Sequence, residues 1–170
     1  FWGRNVDLWS GASAPFTHTI FFRYADILLM YAEAANEIGG PDYTLPGATM
    51  SAVQALNMVR ERVEMPGVNA MYLASKDSFR QRIKNERAVE LYLEGKRFFD
   101  LSRWGDAHKI QHKQLYGVDL IENPGRPTGY NISRTALPVV TLTFEQKHYK
   151  WPIPINDALM FAEFKQNPGW

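Results

Sequence analysis

The stretch RIKNERAVELYLEGKRFFDLSRWGD, Arg82 to Asp106, decides how this chain is read. Its first half has helical periodicity: Phe79, Ile83, Val89 and Leu93 are expected on one side, facing a core. Glu86 and Glu90 fall in the middle of that same side. An ionised carboxylate in an apolar interior is very costly unless a cation meets it. Either these acids line a cleft, or arginines partner them. Ser75 is the expected N-cap of this helix and Gly95 its stop after Glu94. A shorter helix is expected over residues 97–104, ending at Gly105, with helical character resuming through DAHKIQHKQLY.

Upstream, residues 24–38 carry two apolar stripes, one of Tyr24, Leu28, Tyr31 and Ala35, the other of Ile27, Met30, Ala34 and Ile38. Such a helix is expected to pack between neighbours, and Gly39-Gly40-Pro41 ends it. PDYTLPGAT reads as a loop. Ser51 with Gln54 fits a capping box opening a helix to about Val63, with Ala52, Ala55, Leu56, Val59 and Val63 inward. The two helices look like a tetratricopeptide-like hairpin, a unit that needs stacked neighbours. Residues 1–20 read as an irregular entry and residues 21–116 as helical. Residues 117–170 read as loops and short strands, with a short helix from Asn156. The expected fold class is therefore mainly α, with an irregular, short-strand C-terminal region.

The bulk figures exclude several functions. The formal charge is +1, so neither nucleic acid nor an anionic membrane surface is an expected partner. There is no cysteine, which removes thiolate catalysis and thiolate metal sites. No run spans a bilayer, and no leader pattern opens the chain. The opening FWGRNVDLWSG lacks an initiator Met, and the chain is read as a piece of a longer protein. Aromatics make up 14% of residues, a load that suits broad packing contacts or stacking on ring-shaped ligands.

Candidate functional residues follow from these patterns. Glu86 with Glu90 or Asp100 could serve as a glycosidase carboxylate pair. The preferred reading is structural: an ion-pair network of Glu86 and Glu90 with Arg97 and Arg103, or with Arg60 and Arg62 at the end of the preceding helix. His108 and His112 have the spacing of metal ligands on a helix, but no third ligand accompanies them, so neither metal nor cofactor is expected. His18 and His148 are expected to pack with a satisfied ring nitrogen. Trp2 and Trp9, beside Arg4, Asn5 and Asp7, could stack on sugar rings, as could Tyr116 and Tyr130 in the loop-rich region. Packing is the competing explanation for each. Trp104, Trp151 and Trp170 are expected to anchor segments to the core.

Four blocks occur in an order that resembles the C-terminal part of the SusD/RagB family: FFRYADILLMYAEAANEIG, AVQALNMVRERVEMPGV, the Arg82–Asp106 stretch, and HYKWPIPINDALMFAEFKQNPGW. The resemblance implies a surface-exposed outer-membrane lipoprotein that binds glycans, or in some cases peptides, without catalysis. It further implies a SusC-like TonB-dependent transporter as partner and oligosaccharide as ligand. Membrane association would run only through an N-terminal lipid anchor, for which this chain carries no acylatable cysteine. The Glu–Arg block would then be scaffold, and no binding residue is carried over from the family. A carboxylate-dependent glycosidase and a helical protein-interaction module are the alternatives.

Overall fold

The computed structural model describes residues 21–160 and 163–170. The chain is mainly α and divides between Glu94 and Gly95 into two compact units.

The first unit is a three-helix assembly. Helix α1 (Tyr24–Gly39) begins after an extended Arg23, with Asp26 in its first turn, where an acid complements the helix dipole. It ends at Gly40, whose φ of 94° is left-handed. Gly39 is required for a different reason. A Cβ there would lie 2.2 to 2.7 Å from the Tyr43 side chain, so only glycine lets the following loop fold back. Helix α2 (Ala52–Glu61) opens with the full capping box: Ser51 N–H donates to Gln54 Oε1 at 2.7 Å, and Gln54 N–H to Ser51 Oγ at 3.4 Å. Helix α3 (Lys76–Glu90) is capped by Ser75, whose hydroxyl accepts from Ser78 N–H.

Helix α1 packs on both α2 and α3. The core joins Leu28, Leu29, Ala32 and Ala35 of α1 to Ala52, Ala55, Leu56 and Val59 of α2, with Phe79 and Ile83 from α3. The facing alanines allow α1 and α2 a close approach. Several expectations about this packing are corrected. The second apolar stripe of α1 is not inward: Ile27, Met30, Ala34 and Ile38 are exposed, and the second buried line instead runs through Asp26, Leu29 and Asn36. On α3 the buried line is Phe79, Ile83, Glu86 and Arg87, while Val89 is exposed, because a ten-residue step from Phe79 falls well off the stripe. Helix α3 also stops four residues before Glu94. The chain turns instead, with Leu93 at φ 63° and Gly95 at φ 72°. Val63, expected inward on the second helix, is likewise exposed, beyond the end of α2, as is Tyr24 of the first α1 stripe.

The second unit has little regular structure. Helix α4 (Arg97–Arg103) ends at Trp104-Gly105, and α5 (Ile110–Lys113) is a single turn, much less than DAHKIQHKQLY suggested. Strand β1 (Gln114–Leu115) pairs antiparallel with β4 (Val140–Thr141). Between them β2 (Val118–Glu122) pairs antiparallel with β3 (Tyr130–Arg134), with Leu120 opposite Ile132. Helix α6 (Ile155–Ala158) follows a short 3-10 turn at Gln146–Tyr149.

The last residues fasten back onto the segment that precedes α6. The Gln166 amide forms two 2.8 Å bonds with Ile153, accepting from its N–H and donating to its carbonyl, as a paired strand would. Asn167 Nδ2 donates to Trp151 O at 2.7 Å. The Trp170 indole N–H is shared between the carbonyls of Lys147 and Lys150, at 3.0 and 2.9 Å. Gly169 is needed here, since its φ is 90° and a Cβ would lie 2.9 Å from Lys147 Cβ.

Candidate functional site

The two carboxylates that posed the problem are both met by arginines. Glu86 Oε2 receives Arg60 Nη1 at 2.9 Å from the end of α2, and also Arg82 from one turn earlier on α3. Arg60 is itself steadied by Nε donating to Pro66 O at 2.8 Å. Glu90 Oε1 receives Arg23 Nη1 at 2.6 Å and Arg62 Nη2 at 3.0 Å. Arg23 continues to Glu94 through Nε at 2.8 Å, and these carboxylates hold its guanidinium above its usual pKa against the opposing effect of burial.

A second set of ion pairs joins α1 to α3. Arg87 Nη1 donates to Asp26 Oδ1 at 3.0 Å, with both side chains almost fully buried. Arg80 grips both oxygens of Glu37, which holds that carboxyl below the usual carboxylate range. Asn36 Nδ2 donates to Lys76 O at 3.0 Å. The arginines that hold the acids therefore come from all three helices, and Arg23 lies far off in sequence. Arg97 and Arg103, the partners first considered, have contacts inside the second unit: Arg103 Nε donates to Asp100 Oδ1 at 3.0 Å, and Arg97 lies 3.5 Å from His112 Nδ1. Burial pushes the Arg97 guanidinium down, opposed by Asp100 and Asp106.

These ion pairs tie α1, α2 and α3 to one another. A glycosidase needs one carboxyl free to protonate a leaving oxygen and another facing the anomeric carbon. Here guanidinium donors occupy both oxygens of Glu90 and Oε2 of Glu86, so each carboxylate is already paired with cations.

His108 and His112 do not lie on one helix. His108 precedes α5 rather than lying on it, and its Nδ1 sits 2.8 Å from Tyr149 Oη. The local break from helical geometry at Asp106–Lys109 removes the one-turn spacing the sequence suggested. Among the described residues no group of three metal-ligating side chains occurs. His148 Nδ1 accepts from Glu145 N–H at 2.8 Å, giving that ring nitrogen a backbone partner.

The aromatic candidates separate. Trp2 and Trp9 lie outside the described residues. The guanidinium of Arg134 sits 4.0 Å from the Tyr116 ring centroid, and the Tyr116 hydroxyl donates to Gln114. One face of that ring is therefore already used. Tyr130 lies on β3 opposite Glu122 and is 42% exposed, on the same side of the hairpin as Val118, Leu120 and Ile132. Trp151, expected to be an anchor, is 78% exposed and touches Phe98 at a centroid separation of 6.5 Å. Its backbone carbonyl does the anchoring, through Asn167.

Sequence reasoning did not find the cleft of about 440 Å³ in the second unit, lined by Gly105, Gln146, Lys147, Tyr149, Lys150 and Pro168. Tyr149 is fixed there by its hydroxyl at His108 and by edge contacts with Phe144 and His108. The signal available was the density of polar and aromatic residues in EQKHYK, next to a terminal Pro-Gly-Trp. No described helix is long and apolar enough to cross a membrane.

Comparison with known proteins gives a consistent result. The family model described as the SusD family matches residues 9–170. Two SusD-like proteins of Formosa agariphila, P38 and P25, are each 37% identical, over 100 and 114 residues that cover 55% and 61% of this chain. The chain spans 18% of the length of each of these curated relatives. Among solved structures, a SusD-like protein from Bacteroides fragilis aligns over 96% of this chain and 28% of its own, with 29% identity and a TM-score of 0.69. A SusD-like carbohydrate binding protein from the same organism aligns over 82% of this chain and 27% of its own, with 29% identity and a TM-score of 0.57. With the family's pattern matched along nearly the whole sequence, and the fold shared with a solved SusD-like protein, this chain belongs to the SusD family.

Proposed function

We propose that this chain serves in the non-catalytic capture of an oligosaccharide at the outer-membrane surface, for delivery to a SusC-like TonB-dependent transporter. Family membership over residues 9–170 carries the reading, and one structural neighbour is described as carbohydrate binding. The arginine-bound state of Glu86 and Glu90 supports a binder over a glycosidase. Anchoring would come from an acylated cysteine in sequence preceding this chain. Nutrient uptake is the process such capture would feed.

Within the described residues Tyr130 is the better stacking candidate of the two loop tyrosines, because its ring is half exposed while that of Tyr116 is shared with Arg134. A sugar ring would lay its C–H face on the phenol ring and hydrogen-bond at its rim.

The test is calorimetric titration of the full natural protein with a panel of plant, algal and host oligosaccharides. Saturable binding without change in the sugar, together with co-purification of a TonB-dependent transporter, is the expected outcome. Release of shortened sugars, abolished by Glu86→Gln in a folded variant, would favour the glycosidase instead. Absence of any sugar binding alongside a stable protein partner would favour the interaction module.

A further inference from the structure

We propose that the cleft at Gln146–Lys150 takes an acidic sugar unit, one bearing a carboxylate or a sulfate. This inference rests on the glycan-binding reading above and narrows its ligand class. Among the described residues the lining holds two lysines, a neutral amide and a tyrosine, and no aspartate or glutamate. Neutral sugars present hydroxyls that both donate and accept, and sites for them need acceptors. Side-chain acceptors among the described lining are limited to the Gln146 amide oxygen and the Tyr149 hydroxyl, with no carboxylate. The Trp170 indole already occupies the carbonyls of Lys147 and Lys150, so what these two residues offer a ligand is mainly their ammonium groups.

The lysines are also available. Among the described residues Lys150 has no ion pair, and Lys147 Nζ meets Glu145 Oε2 only at 3.7 Å, over an exposed carboxylate. Lys147 Nζ is held 5.2 Å from the Trp170 ring centroid, which fixes where its charge stands. The tyrosine ring is locked by His108 and Phe144, so it offers a rigid apolar wall to a sugar's C–H face. The wider field agrees. Residues 95–170 carry ten Lys and Arg against seven Asp and Glu, whereas residues 1–94 carry nine against eleven. The unit holding the cleft is thus basic and the helical unit acidic, although the whole chain is near neutral.

The experiment titrates the full natural protein with three sets of oligosaccharides matched in length, bearing uronate, sulfate or no charge. An oligonucleotide of equal charge serves as control. At least one acidic set should bind tenfold or more tighter than the neutral set, with affinity falling as salt rises. Lys147→Gln with Lys150→Gln should erase that preference at unchanged melting temperature, since glutamine keeps the stem that packs on Gly169. The Arg pair at the same positions should retain it. Equal affinity for acidic and neutral sugars overturns the inference and leaves the glycan-binding reading intact. So does a preference that survives the Gln pair, or an oligonucleotide bound as tightly as the sugars. Failure of every sugar to bind overturns both.

Discussion

At the position of Arg87, a guanidinium nearly sealed from water meets Asp26 across the α1–α3 contact. Two charges removed from water pay a desolvation cost that their attraction only partly returns, so such a pair contributes little net stability while making each partner indispensable to the other. Arg87→Ala is therefore expected to destabilise the helical unit by about 3–5 kcal/mol, because it breaks a buried ion pair by removing one partner. Replacing both residues by apolar side chains of similar volume should recover most of the loss. Urea denaturation followed by circular dichroism measures both variants, and a single variant as stable as the parent would remove the argument. The same logic explains what was legible at this scale. Two glutamates on a core-facing stripe announce that cations must come to meet them. Nothing local says that one of those cations is Arg23, brought in from the start of α1.

Individual elements were legible where their signals are local. The Ser51–Gln54 box, the Gly39-Gly40 stop and the Ser75 cap all act within one helical turn, and each appears in the structure as the sequence implied. The end of α3 was not legible, because Leu93 adopts a left-handed conformation that no glycine advertises. The terminal QNPGW segment was legible only as a family signature. Its physical role is a clasp in which Gln166 imitates a strand partner for Ile153 and Trp170 gathers two carbonyls of the preceding turn. Gln166→Ala removes the two hydrogen bonds with Ile153 and the one that Gln166 Oε1 accepts from Asn167 N–H, together worth about 1–3 kcal/mol. If opening of the clasp limits cleavage, trypsin should cut after Lys147 and Lys150 about tenfold faster in this variant, as read by mass spectrometry. An unchanged cleavage rate would mean that the clasp does not restrain the segment.

Across the molecule, burial is concentrated in the helical unit. Among the described residues, eleven of α1, α2 and α3 make up its apolar core, with Leu29, Ala32, Ala35, Ala52, Ala55, Leu56, Phe79 and Ile83 entirely shielded. The β2–β3 hairpin, by contrast, exposes Val118, Leu120 and Ile132, and two strands without a covered face have little to hold them. Hydrogen exchange should therefore be slowest at the amides of Ala32 and Leu56 and several orders of magnitude faster across Val118–Glu122. Uniform protection across both units would contradict this distribution of burial.

What the sequence determined by itself were the features set by neighbours in the chain: the class of fold, the starts of three helices, two glycine stops and the demand for cations at Glu86 and Glu90. Tertiary structure alone decided which arginines answer that demand. It also decided which stripe of α1 is buried, that His108 meets a tyrosine, and that residues of Gln146–Lys150 line a cleft with Gly105 and Pro168. The reason is physical. Periodicity and capping act over a few residues, whereas ion pairs, packing faces and clefts depend on side chains brought together by folding from positions that no local signal connects.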